Sequence, residues 1–228
     1  MKHNIISFSG GKDSTRLVHL LIEQNIPIHS AVLYVTPWEF PEMESHVDLV
    51  QKKTGITIVK LYKRRLWSEL LPKWKWPSGG REWCTSEKTS AVNRYVGSVG
   101  MDAVEYIGFS ADEIKRTTKS GIKKKKHTVK FPLIDAGITE KQALQDCLNL
   151  GYNWGGLYEI YNRVSCFCCP KKGKEGLRLL RKYRPELYQK VLEMDKTVIN
   201  NGGFGYSRST VHDFEKIFQE EDKQMKLF

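Results

Sequence analysis

The chain has 228 residues, 40% of them apolar and 28% charged, with a formal net charge of +11. That length can bury a full core as one domain with an appendage or as two small ones, and with no apolar run of about eighteen residues no membrane span is expected. Five cysteines, an odd number, argue against a secreted disulfide framework, and the N-terminus enters a strand-like segment without a signal-peptide pattern, so a cytoplasmic setting is expected.

In chain order, Ile5, Ile6 and Phe8 give a short strand over residues 4–8. Leu17, Leu20 and Leu21 then recur at i, i+3 and i+4, which predicts a helix starting at Asp13 or Ser14. The continuous apolar run 31–35 reads as a strand buried on both faces of a parallel sheet. A helix over 41–53, a strand over 56–61, a helix over 86–100 and a strand over 103–109 follow. Strands alternating with helices predict a doubly wound, mostly parallel, Rossmann-like α/β domain over residues 1–135. Beyond it, Thr139 and Gln142 make a capping-box pattern ahead of Leu144, Cys147 and Leu148. A glycine- and aromatic-rich stretch (151–162) leads to the cysteine-bearing segment 165–170. Pro185 suits the first turn of a helix carrying Leu187, Tyr188, Val191 and Leu192, and Phe214, Ile217 and Phe218 mark a last one. Residues 136–228 are expected to form a small helical, cysteine-containing subdomain.

Between the first strand and helix stand Ser9, Gly10, Gly11, Lys12, Asp13 and Ser14. This is not the G-x-x-x-x-G-K-S/T phosphate loop, because the glycines are adjacent and Asp13 separates Lys12 from Ser14. In an open parallel sheet, ligands sit beyond the carboxyl ends of the strands. A glycine-rich turn there brings backbone N–H groups to phosphate oxygens, and the helix N-terminus adds its positive dipole. Ser9 and Ser14 supply hydroxyl donors, and Lys12 a point charge for a pyrophosphate. Asp13 suits Mg²⁺, which takes one or two carboxylates together with substrate phosphates. A plain strand-to-helix turn with Asp13 as N-cap accounts for the glycines and Asp13, but not for Lys12 and both serines.

The segment 9–14 resembles the PP-loop of the ATP pyrophosphatases, the adenine-nucleotide α-hydrolases that include the phosphoadenosine phosphosulfate (PAPS) reductase family. Further segments resemble that family in order. "TPWEFPEM" (36–43) is similar to its loop near the adenine, and "REWCTSEK" (81–88) to its segment with Arg, Cys-Thr and Lys. "GFSADEIKR" (108–116) resembles its Gly…Asp-Glu…Arg segment, with Ser110 where an arginine is common; "FPLID" (131–135) and the Cys-x-x-Cys-Pro at 166–170 complete the set. The resemblance implies an adenine nucleotide, with residues 9–14 on its phosphates and Leu33, Tyr34 and Trp38 on the adenine side. Arg81 and Arg116 are implied as further phosphate or substrate groups, and Lys12, Asp13 and Arg116 as the residues nearest the chemistry. A complete loop fits ATP with Mg²⁺, and hence adenylation of a substrate with release of pyrophosphate. Two other readings stay open. One is a thiol-dependent sulfonucleotide reductase or sulfate-activating enzyme, which departs from the family because the last cysteine here is Cys169. The other is a nucleic-acid-binding partner that keeps the nucleotide fold without turnover.

Cys166, Cys169 and Pro170 have the spacing that lets two thiolates reach one metal centre. Cys84, contributed from the α/β domain, and Cys168 complete a candidate set. Resemblance to ATP-dependent sulfurtransferases of tRNA and of DNA phosphorothioation implies a [4Fe-4S] cluster, with a sulfur donor protein as partner. Zinc, a catalytic thiol pair and ordinary buried cysteines are the alternatives, and Cys147 reads as core. Residues 115–130 hold eight lysines and arginines and no acid, so +3 of the net charge lies elsewhere. That basic loop could track the phosphates of DNA or RNA, aided by Trp74 and Trp76 as stacking surfaces, or close over the nucleotide. The six histidines show no ligand spacing.

Overall fold

The computed structural model describes residues 3–62, 67–77, 82–100, 102–123, 125–206 and 209–225. The chain alternates β1 (His3–Phe8), α1 (Lys12–Glu23), β2 (Ser30–Tyr34), α2 (Pro41–Thr54) and β3 (Ile58–Leu61). Next come α3 (Trp67–Trp74), α4 (Trp83–Val99), β4 (Ala103–Ile107), a 3-10 turn at Ala111–Arg116, α5 (Ser120–Lys123) and β5 (Thr128–Lys130). The remainder is helical: α6 (Pro132–Asp135), α7 (Glu140–Asn149), α8 (Leu157–Ile160), α9 (Gly173–Tyr183), α10 (Pro185–Asn200) and α11 (Val211–Met225). None of the described helices is long and apolar enough to cross a membrane.

The strands form one parallel sheet in the order β3-β2-β1-β4-β5. β1 is central because both of its faces are apolar: Ile5 and Ile6 are fully buried. Ile5, Val32 and Ala103 build one face of the sheet, which Val96 of α4 covers, with Val92, Tyr95 and Val99 packed against it. α1 packs on β1, α6 and α7 through its apolar stripe, in which Leu17, Val18 and Leu21 are fully buried. The α/β architecture is the one the strand–helix alternation predicts. The structure adds β5, a three-residue strand with alternating exposure that pairs with β4.

The chain divides into two compact units, each built from several segments. One comprises Met1–Val35, Phe40–Tyr62 and Glu87–Glu159; the other comprises Thr36–Glu39, Lys63–Ser86 and Ile160–Phe228. A single cut at residue 135 is therefore not what the contacts give: α7 packs on α1, where Arg16 Nε meets Asp146 Oδ2 at 2.6 Å, so residues 136–159 go with the sheet. In the second unit, α10 packs against α3, α9 and α11. Its fully buried Asp195 is satisfied by the Trp76 indole N–H and the Val211 backbone N–H, each at 2.7 Å.

Candidate functional site

β1 pairs with β2 on one side and β4 on the other, so residues 9–11 leave the sheet at the point where the strand order reverses. α1 starts immediately, with Gly11 as N-cap in extended conformation and no side-chain cap. No oxygen of the usual capping kind thus takes the first-turn amides. One amide is engaged from afar: Lys12 N–H donates to the Tyr158 hydroxyl at 2.9 Å. Gly10 turns the chain at φ +75, and its carbonyl accepts the Trp154 indole N–H at 2.7 Å. At the end of β4, a Cβ on Gly108 would lie 3.0 Å from the Asp13 carbonyl oxygen and 3.2 Å from Ser14 Cα. Glycine at 108 is what lets the strand end approach the helix start.

The support behind the loop is aromatic. Trp154 has φ +50, followed by Gly155 at +59 and Gly156 at +81. A bulky residue in the left-handed region is strained and persists only where its surroundings hold it. Trp154 is 2% exposed, stacks on His46 with centroids 4.4 Å apart, and meets Tyr158 edge-on. His46 Nε2 lies 2.9 Å from the Thr15 hydroxyl, while its Nδ1 is buried without a partner. Burial pushes the His46 imidazole down to about 3, so it is neutral at pH 7.

Charge at the loop centres on Lys12, whose side chain is buried. Its Nζ lies 2.8 Å from Glu140 Oε2 and 3.4 Å from Asp13 Oδ2. Asp13 Oδ1 is buried with no hydrogen-bond partner. Burial pushes the Asp13 carboxyl up to about 6, against the pull of Lys12, and Glu140 and Glu113 add to the rise. Glu140 opens α7, where the Thr139 and Gln142 capping box is formed in full and the Glu140 amide donates to Asp112 Oδ2 at 2.8 Å. An orphaned, buried carboxylate oxygen beside an uncapped helix N-terminus fits a divalent cation shared with phosphates.

The residues singled out by sequence fall in different places. Ser9 is exposed at the loop, whereas Ser14 is buried and works inside it: its hydroxyl donates to the Gly11 carbonyl at 3.0 Å and accepts the Ser9 amide at 3.2 Å. Leu33 and Tyr34 close β2, with Tyr34 buried. Trp38 belongs to the second unit, 6.0 Å edge-on from Trp83, and its carbonyl accepts the Phe167 amide at 2.8 Å. Arg116 pairs with Glu113 and lies 4.1 Å over the Phe109 ring. Arg81 lies outside the described residues. Glu140, Trp154 and Tyr158 were not anticipated.

Cys84, at the start of α4, belongs to the second unit, as Cys166, Cys168 and Cys169 do, and not to the unit that holds the sheet. Cys169 N–H closes a turn onto the Cys166 carbonyl at 3.1 Å, and Cys166 Sγ donates to Glu39 Oε1 at 3.7 Å. Burial, then the nearness of Cys166 and Cys169, raises the Cys168 thiol far above its ordinary value. Four thiols in one unit are suitable donors for a thiophilic metal. As the side chains stand, however, no three His, Cys, Asp or Glu among the described residues form a metal-holding group. Cys147 is fully buried on α7, as a core residue.

The basic loop is not uniformly solvated. Lys125, 4% exposed at its side chain, sits 2.6 Å from Glu105 Oε2, which also holds His127 Nε2 at 2.7 Å. Ser7 and Asn93 complete this buried network. Burial works to raise the Glu105 carboxyl, but Lys125 and the hydrogen bonds hold it below the usual range. Lys115, Lys119, Lys126 and Lys130 are exposed, and Lys124 lies outside the described residues. Of the two tryptophans, Trp74 is exposed and Trp76 is buried.

A family model, phosphoadenosine phosphosulfate reductase domain, matches residues 3–172. Uncharacterized protein MJ0066 of Methanocaldococcus jannaschii is 25% identical over 195 residues, which are 82% of this chain and 40% of that protein. The chain thus spans well under half the length of that curated relative. Among solved structures, the U34-tRNA thiolase NcsA from Methanococcus maripaludis, with its [4Fe-4S] cluster, has the same fold at a TM-score of 0.51 and 17% identity, over 87% of this chain and 73% of that one. A predicted subunit of tRNA methyltransferase from Methanocaldococcus jannaschii reaches a TM-score of 0.43 at 15% identity, over 82% and 92% of the two chains.

Proposed function

The chain belongs to the phosphoadenosine phosphosulfate reductase domain family, and from that membership we propose a PP-loop enzyme that binds ATP and adenylates a substrate with release of pyrophosphate. One observation carries the proposal: at the uncapped N-terminus of α1, buried Lys12 lies beside Asp13, whose Oδ1 has no partner. A cation, a carboxylate kept for a metal and first-turn amides are what a polyphosphate needs.

In this reading the amides of α1 and Lys12 Nζ hold the β- and γ-phosphates. A substrate oxygen attacks the α-phosphorus, and the bond to the pyrophosphate oxygen breaks. Lys12 and the helix dipole stabilise the charge that develops on the leaving group. Mg²⁺, held by Asp13 and the phosphates, would supply further neutralisation there. Ser14 fixes the loop from within, and Ser9 is the hydroxyl that faces a ligand. Arg116 stays a candidate for the substrate side. Its Glu113 partner keeps it oriented.

Sulfur transfer to the activated position, from a sulfur donor protein and with a cluster or zinc on Cys84, Cys166 and Cys169, is the finer part of the proposal. The thiols must move from the placement described above to hold such a group, and no step is routed through it. The exposed lysines of residues 115–130 and Trp74 support a DNA or RNA acceptor in a cytoplasmic setting. The test is calorimetric titration with ATP and Mg²⁺, with PAPS as competitor. Lys12→Ala should weaken ATP binding about 10- to 100-fold, the equivalent of a charged hydrogen bond worth ~1.5–3 kcal/mol. Preference for PAPS, with thiol-dependent turnover, would move the protein to the reductase reading. Binding unchanged by Lys12→Ala would overturn the phosphate assignment.

A further inference from the structure

Lys12 is not an unpaired cation waiting for phosphate. Its ammonium lies between two carboxylates, Glu140 at 2.8 Å and Asp13 at 3.4 Å, so the three side chains sum to one negative charge. Glu140 is held in place: it is the first residue of α7, its amide is tied to Asp112 Oδ2, and the Thr139–Gln142 box fixes the turn it leaves from. α7 is in turn fixed to α1 by Arg16 and Asp146, and Cys147 Sγ approaches the Lys12 carbonyl at 3.5 Å. The carboxylate therefore reaches Lys12 from a rigid helix end and not from a loose chain.

We infer that Glu140 is a specificity-determining residue that makes the loop reject a bare polyphosphate and accept one that carries a divalent cation. A metal-free triphosphate must take Lys12 from Glu140 while two carboxylates repel it. A nucleotide arriving with its cation brings the charge that answers Asp13 and releases Lys12. This rests on the nucleotide reading above. Discrimination here comes from a built-in repulsive element, the usual way selectivity is obtained when attraction alone serves both ligands.

The experiment is calorimetry of ATP, in EDTA and in Mg²⁺, on the wild type and on Glu140→Gln. Glu140 is half-exposed, so the amide replacement is expected to leave the fold intact, and a melting curve on each sample verifies it. The wild type should bind ATP much more weakly in EDTA than in Mg²⁺. Glu140→Gln should bind metal-free ATP roughly tenfold tighter than the wild type, the scale of one unit charge removed about 3–4 Å away, at a half-exposed position screened largely by water, and so narrow the gap between the two conditions. Should Glu140→Gln melt early, Glu140→Asp, which keeps the charge and shortens its reach, should show the same direction. Unchanged metal-free affinity in a folded variant that still binds Mg²⁺–ATP would overturn the inference and leave the nucleotide reading standing. No binding of ATP by any sample in either condition would overturn that reading itself.

Discussion

Replacing Trp154 with phenylalanine keeps a ring to stack on His46 but removes the indole N–H that the Gly10 carbonyl accepts at 2.7 Å. Gly10 is buried, so the carbonyl loses its partner where water does not replace it. An unsatisfied buried acceptor costs ~1–3 kcal/mol, and the lost ring atoms add about 1 kcal/mol. The total, about 2–4 kcal/mol, corresponds for a chain of this size to a melting temperature lower by roughly 4–16 °C. The peptide that Trp154 holds is the one preceding Gly11, so the same change should weaken ATP binding at temperatures where the variant is still folded. Circular dichroism melting followed by calorimetry at 15–20 °C below the variant's midpoint (about that margin keeps unfolding negligible) separates the two effects. A melting temperature within a degree of the wild type would refute the argument that this bond holds the loop. A lower melting temperature with unchanged affinity would leave Trp154 as packing alone.

Two further outcomes concern groups away from Lys12. His46 is held neutral down to about 3, so as pH falls through ~6.5 the unfolded chain takes a proton that the folded chain refuses. Stability should therefore drop between about pH 6.5 and 3, by up to ~1.4 kcal/mol per pH unit from this group. In denaturant titrations, His46→Phe should flatten that slope, and a slope identical to the wild type would contradict it. For the cysteines, the cluster proposed above requires iron and matching sulfide in anaerobically purified protein, both lost on Cys166→Ala; zinc alone would leave a metal site without a cluster, and protein with no metal would confine Cys84, Cys166 and Cys169 to packing.

What the sequence made legible was local. The Thr139–Gln142 box, the proline that opens α10 and the glycines before α1 each act within a few residues of themselves, and each stands where expected. The sheet was legible through its buried strands. β5 was not, because an edge strand of three residues needs no apolar run and here carries the pattern Thr-Val-Lys. Within the site, Lys12 and Asp13 could be found from their setting, but their partners could not. Glu140, Trp154 and Tyr158 reach the loop across 128, 144 and 146 residues, and nothing in their own neighbourhoods marks them except the Trp-Gly-Gly that the left-handed turn demands. Lys125 shows the same limit from the other side: in a run of lysines, the one that faces Glu105 looks like its neighbours until the fold is known.

The chain passes between its two compact units five times. Neither unit is a continuous length of polypeptide, so there is no point at which one could be severed from the other and both halves keep their contacts. During synthesis, residues 36–39 and 63–86 leave the ribosome long before 160–228, the segment they pack with. The sheet's own residues are complete once 159 has emerged, while the cysteine-bearing unit must wait for nearly the last turn of α11. The order of translation therefore sets an order of assembly: the loop that opens α1 has its own unit's residues available before the segments bearing Cys84 and Cys166–Cys169 have theirs.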